Sequence, residues 1–170
     1  MSFFRSLSRT TRILLIVTVV WMVLIFCFSA QNADDSSAVS SHLLEDLLAF
    51  FTPGWETMTK LQRKKRLNAF HTVFRKCGHF TEYAILGVLL TLFFRIGHTE
   101  KQEKPYQRLW LPPMLALCYA FTDEFHQLFV PGRSCELRDV LIDFSGSLLG
   151  ILIVSAVIVL RRRRKTVHPV

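Results

Sequence analysis

Four side chains able to bind charge or move protons stand close together at Lys76, His79, Glu82 and Tyr83. Lys76, His79 and Tyr83 are spaced i, i+3, i+7, and Glu82 lies three beyond His79. A helix would carry them on one face or its flank. A second group follows at Asp123, Glu124, His126 and Gln127, with Asp123 and Gln127 one helical turn apart. A third runs Asp139, Asp143, Gly146, Gly150 at i, i+4, i+7, i+11, two carboxylates above two glycines on one stripe. Between the last two groups, Pro131-Gly132 signals a tight reversal. Arg133 at its tip could grip a carboxylate or phosphate through both arms of its guanidinium, or stand as an exposed loop arginine.

Three kinds of chemistry fit these residues. His79, Glu82, Asp123 and Glu124 could supply a general acid and base, if burial and like-charge neighbours push their proton affinities apart. His79, Glu82, Asp123 and Asp139 could instead hold a divalent metal through imidazole and oxygen. Lys76, Arg133 and Arg138 could simply neutralise Glu82, Asp123, Glu124, Asp139 and Asp143 and fasten the helices together. The set is larger than fastening needs, so a shared polar pocket is the expected arrangement. Its lining would be Lys76, His79, Glu82, Tyr83, Asp123, Glu124, Gln127, Arg133, Asp139 and Asp143. There is no Ser-His-Asp ordering and no Gly-rich phosphate loop, and no resident cofactor is expected.

The elements that must carry these residues are apolar. The chain has 170 residues, 51% of them hydrophobic, and the apolar residues fall in long blocks with the charges between them. About 20 apolar residues cross a hydrocarbon core of about 30 Å. Four blocks approach that length, at residues 13–29, 78–95, 109–130 and 139–160. The first and last are plain. The middle two contain the ionisable residues, each of which would cost about 2.5–3.5 kcal/mol at the centre of a membrane and less near its surface. The predicted fold is all-α, an integral membrane four-helix bundle. Residues 1–12 form an N-terminal segment, 13–160 the transmembrane domain and 161–170 a basic tail.

The net charge is +8. Arg5, Arg9 and Arg12 precede the first block, Arg95, Lys101, Lys104 and Arg108 separate the second from the third, and Arg161–Lys165 follow the fourth. All three sets share one side if every block spans, and the positive-inside rule makes that side the cytoplasm. Both termini are then cytoplasmic, and residues 30–76 and 131–139 face outward. Lys60, Arg63, Lys64, Lys65, Arg66, Arg75 and Lys76 in the long outer loop run against the rule. The opposite orientation would place three basic clusters outside. A terminal basic run directly after a spanning segment suits an anionic lipid surface, and nucleic acid is not an expected partner.

Within the outer loop, Asp34–Ser41 reads as a polar linker. Leu43, Leu44, Leu47, Leu48, Phe50 and Phe51 form an apolar stripe that Pro53-Gly54 ends. A second stretch sets Met58, Leu61, Phe70 and Phe74 around the Arg63–Arg66 cluster. Basic, amphipathic and aromatic together suggest helices lying in the membrane interface; a solvated helical hairpin is the other reading. Cys27, Cys77, Cys118 and Cys135 lack the paired spacing of a zinc site. The first block has a basic lead, but its apolar run exceeds the h-region of a cleaved signal, about 7–15 residues, so a retained helix is expected.

Two stretches resemble a known family. Arg75-Lys76-Cys77-Gly78-His79-Phe80-Thr81-Glu82-Tyr83-Ala84-Ile85-Leu86-Gly87 is similar to the Lys-x-x-His-Phe-x-x-Tyr-x-x-Leu-Gly signature of VanZ-like proteins. Asp123-Glu124-Phe125-His126-Gln127-Leu128-Phe129-Val130-Pro131-Gly132-Arg133, followed by Asp139 and Gly146, resembles the second signature. Phe28-Ser29-Ala30-Gln31 resembles the opening stretch. The family takes its name from a protein linked to low-level resistance to teicoplanin, a lipoglycopeptide. The resemblance therefore implies a multi-pass protein of a bacterial, Gram-positive plasma membrane. Its implied partners are membrane lipid and a lipid-linked cell-wall intermediate or a lipoglycopeptide; homo-oligomerisation is compatible with it. One departure is Asp143, where the family commonly has asparagine, so that Asp143 either ionises or shares a proton with Asp139. Three functions follow as expectations. The first is binding of an amphipathic envelope ligand in an outer polar pocket. The second is hydrolysis or transfer on a lipid-linked phosphate or glycan. The third is a helper subunit that packs on a partner through its last helix.

Overall fold

Every regular element among the described residues is helical. The computed structural model describes residues 7–31, 33–96, 107–131, 133 and 135–167. Arg5, Lys101, Lys104 and Gly132, which entered the charge and turn arguments, lie outside the described residues. Helix α1 spans Arg9–Ser29, α2 Ala33–Phe51, α3 Lys60–Ile96, α4 Gln107–Gln127 and α5 Leu137–Val167, with a short 3-10 turn at Trp55–Thr57.

Helix α1 starts before its first apolar residue because the Ser8 hydroxyl accepts from the Thr11 amide at 3.2 Å, an N-cap. Helix α2 already covers the Asp34–Ser41 stretch expected to be a linker. Pro53-Gly54 ends it as expected, with Gly54 at φ 77, the left-handed region.

The basic stretch after Met58 is not a separate helix. From Lys60 to Ile96 the chain is one helix of 37 residues. No proline or glycine interrupts Lys60–Cys77, so nothing stops the helix that the apolar block continues. Arg63–Arg66 thus extend the axis that carries His79, Glu82 and Tyr83.

Three segments are long and apolar enough to cross a membrane: Arg9–Ser29, Lys60–Arg95 and Leu137–Arg161. Four were expected. Helix α4 equals α1 in length at 21 residues, but Pro112, Pro113, Asp123, Glu124 and His126 lower its apolar character. On the outer faces Ile16, Val20, Leu152 and Ile153 are more than half exposed. Such surface suits hydrocarbon and not water, which fits a membrane protein.

Helices α1 and α4 run one way, α3 and α5 the other. The closest pairing is α3 with α5. A Cβ at Gly146 would collide with the Phe80 carbonyl, one at Gly150 with the Ala84 carbonyl, and one at Gly87 with the Ser147 carbonyl. Small residues therefore let the two backbones touch. Ser147 Oγ donates to the Tyr83 carbonyl across this seam at 3.1 Å. Trp21 Nε1 of α1 donates to the Glu82 carbonyl of α3 at 2.9 Å, and the Tyr119 hydroxyl of α4 donates to the Met22 carbonyl. Ile25, Tyr83, Leu86, Ala116, Ala120 and Val140 form the apolar core between these helices.

Candidate functional site

The ten expected pocket residues lie toward one end of the molecule, where α1 and α4 finish and α5 begins beside the middle of α3. Arg133 ties this end together. Its Nε donates to the Gln31 carbonyl at 3.0 Å, and its two terminal nitrogens donate to the Phe28 carbonyl and to Gln127 Oε1, both at 3.4 Å. Burial and the neighbouring Arg75 guanidinium push the Arg133 pKa below its ordinary value, while Asp123, Glu124 and Glu82 pull it back up. Glu124 fastens the loop after α4. Its Oε1 accepts from Gln127 Nε2 at 3.0 Å and its Oε2 from the Glu136 amide at 3.1 Å. Lys76 pairs with Asp139, joining α3 to the first turn of α5. Phe26 of α1 packs on the His126 ring with centroids 4.3 Å apart.

Two cavities open at this end. The larger, about 580 Å³, lies against α1, α2 and α3. Trp21, Phe28, Leu43, Phe74 and Ile85 form its apolar wall, and Arg75, His79, Glu82 and Arg133 its polar edge. The smaller, about 260 Å³, is lined by Thr72, Arg75, Lys76, His79, Gln127, Arg133, Glu136, Arg138 and Asp139. It holds four cationic side chains against two acidic ones. Arg75, His79 and Arg133 belong to both, so they stand at the junction of an oily chamber and a cationic one.

The ten expected pocket residues therefore divide. Lys76, His79, Glu82, Gln127, Arg133 and Asp139 line one or both cavities. Tyr83, Asp123 and Asp143 line neither. They are buried between the helices, and the two carboxyls make no hydrogen bond. Glu124 is buried and holds the loop. Asp139, offered as a proton-sharing partner for Asp143, is half-buried and paired with Lys76. Of the acid–base candidates, only His79 and Glu82 approach each other at a cavity edge, with Nδ1 and Oε2 4.0 Å apart. Among the described residues no three His, Cys, Asp or Glu side chains are placed to hold a metal ion, and His79, Glu82, Asp123 and Asp139 are not brought together as a ligand set. All four cysteines are free.

The sequence reading does not single out Arg75 as a site residue, because it places residues 30–76 in the outer loop. Once the helix is continuous from Lys60, Arg75 stands one turn before His79 on the same face, and the i, i+4 spacing was visible in the sequence. Thr72, Trp21 and Glu136 carried no such signal; their places depend on which helices meet.

No curated protein and no solved structure matches the chain. The family model described as VanZ/LLP1 matches residues 14–160, which includes both signatures, all ten site candidates and all but the ends of α1 and α5. The chain belongs to the VanZ/LLP1 family.

Proposed function

We propose that this protein binds an amphipathic, anionic ligand of the bacterial envelope at the outer face of the plasma membrane. Helices α1, α3, α4 and α5 all span, with both termini in the cytoplasm. The apolar side of α2, with Leu43, Leu47, Phe50 and Phe51 exposed, and the basic start of α3 lie in the outer interface. The observation that carries the reading is the meeting of an apolar chamber with a cationic one at Arg75, His79 and Arg133. A lipid tail fits the first. An anionic head fits the second, where Arg75 and Arg138 face the space beside Lys76 and Arg133. Lipid-linked cell-wall intermediates and a lipoglycopeptide such as teicoplanin both have this build.

Native mass spectrometry of the protein extracted from bacterial membranes tests the reading. The wild type is expected to retain an acidic lipid, and Arg75→Gln should lower its occupancy at least about tenfold. Equal occupancy in both would sink the proposal. In a Gram-positive host, expression should raise the teicoplanin concentration needed to stop growth, and the same substitution should abolish the rise.

An enzymatic reading rests on the approach of His79 to Glu82 at the edge of the larger cavity. It predicts turnover of a lipid-linked phosphate or glycan that His79→Ala abolishes without loss of folded protein. Absence of turnover across such substrates would remove it.

A further inference from the structure

A further cavity lies in the other half of the bundle, toward the end where α1 and α4 begin and α3 finishes. Its volume is about 190 Å³. Leu86, Leu90 and Phe94 of α3 form its floor and are buried. Val19 of α1 and Leu115 of α4 form its walls and are exposed. The chamber therefore opens sideways between α1 and α4, which touch each other little.

This chamber offers water little to bond to. Of its lining, only Thr18 and Tyr119 carry a hydroxyl. Thr18 Oγ1 donates to the Leu14 carbonyl at 2.7 Å, and the Tyr119 hydroxyl donates to the Met22 carbonyl. An apolar cavity of about 150 Å³ already stays dry and takes an apolar guest. The Tyr119 bond also ties α4 to α1 and so fixes the width of the gap.

The end onto which the chamber leads is cationic. Arg12 is exposed one turn before Leu15, another lining residue, on the same side of α1. Arg95 follows Phe94 in the last turn of α3. No Asp or Glu stands in α1, in α3 beyond Glu82, in α4 before Asp123 or in α5 after Asp143. Apolar contact alone gives a lipid chain little preference, since it leaves one oily place for another. Charge supplies the preference, because arginines near a membrane surface attract anionic head groups.

We propose that this chamber holds an acyl chain of an anionic phospholipid from the leaflet at this end, with its phosphate drawn to Arg12 and Arg95. In the proposed orientation that leaflet is the cytoplasmic one. The lipid fills the gap between α1 and α4 and braces the bundle that carries the site. The inference does not rest on the outer pocket, because no residue of this chamber lines either cavity there.

Photo-crosslinking locates the lipid. Full-length protein in detergent is mixed with phosphatidylglycerol that carries a diazirine on one acyl chain. The label should fall on peptides that hold Leu15–Met22 or Leu115–Tyr119. An excess of unlabelled phosphatidylglycerol should remove it, and the same excess of phosphatidylcholine should not. Joint replacement Arg12→Gln and Arg95→Gln should lower the labelling at least about tenfold. The wild-type competition is decisive even if the double variant fails to fold. Equal competition by both lipids overturns the proposal, since the chain would then belong to the general lipid surround. Undiminished labelling of the folded double variant overturns it too, as does a label confined to the site end. Unlabelled chamber peptides in a chain that crosslinks to a second copy would show that the gap is covered by protein, and would equally overturn it.

Discussion

Arg133 Nε donates to the Gln31 carbonyl at 3.0 Å, so the loop after α4 holds the residue that follows α1. The two are distant in sequence, and the bond closes the end of the molecule where both cavities open. The planar guanidinium reaches Gln31, Phe28 and Gln127 from three separate nitrogens, whereas an ammonium has one nitrogen from which to reach all three. Arg133→Lys keeps the charge and loses the fork. It should cost about 2 kcal/mol, measured as a lower melting temperature in detergent. An unchanged melting temperature would mean that the fork contributes nothing.

The Lys76–Asp139 pair joins α3 to α5 with both side chains about a quarter exposed. Partial exposure limits its worth. A double-mutant cycle with Lys76→Ala and Asp139→Ala should give a coupling of about 1 kcal/mol. Exchanging the two residues should restore most of the stability that either single change removes. Additive single changes would show that the pair is incidental.

The α3–α5 seam tolerates no side chain at Gly146 or Gly150, because the facing atoms are backbone carbonyls that cannot rotate away. Gly146→Leu should cost about 3 kcal/mol or more and reduce the yield of folded protein. Gly78 is the internal control. A Cβ there meets nothing within 4 Å, so Gly78→Ala should raise stability by up to about 1 kcal/mol through helix propensity alone. Equal effects at the two positions would contradict the seam.

Native cysteines test the proposed orientation. Cys77 and Cys135 are exposed at the site end, and Cys118 is exposed near the middle of α4. A membrane-impermeant maleimide applied to intact cells should label Cys77 and Cys135 together and leave Cys118 unreacted. Labelling of Cys77 and Cys135 only after the membrane is broken would place the site end in the cytoplasm.

Much of this molecule was legible in the residues. Apolar blocks around residues 13–29 and 139–160 became α1 and α5 because in an apolar surrounding a run of that length has few ways other than a helix to satisfy its backbone N–H and C=O groups. The faces of Lys76, His79 and Tyr83, and of Asp139, Asp143, Gly146 and Gly150, followed from helical period alone. One departure from that reading lies at a boundary. Starting the second helix at residue 78 rather than Lys60 hid Arg75, since composition changes there while the backbone does not.

The division of the acids belonged to tertiary structure. By sequence, Glu82, Asp123, Glu124, Asp139 and Asp143 are equivalent: carboxylates near helix ends. In the folded chain Asp139 meets Lys76, Glu124 meets the Glu136 amide, Glu82 edges a cavity, and Asp123 and Asp143 are left buried without a partner. Helical period says which residues share a face. It does not say which face meets which neighbour. That depends on where the helices cross, and here the crossing is set by backbone contact at Gly87, Gly146 and Gly150, between segments far apart in the chain.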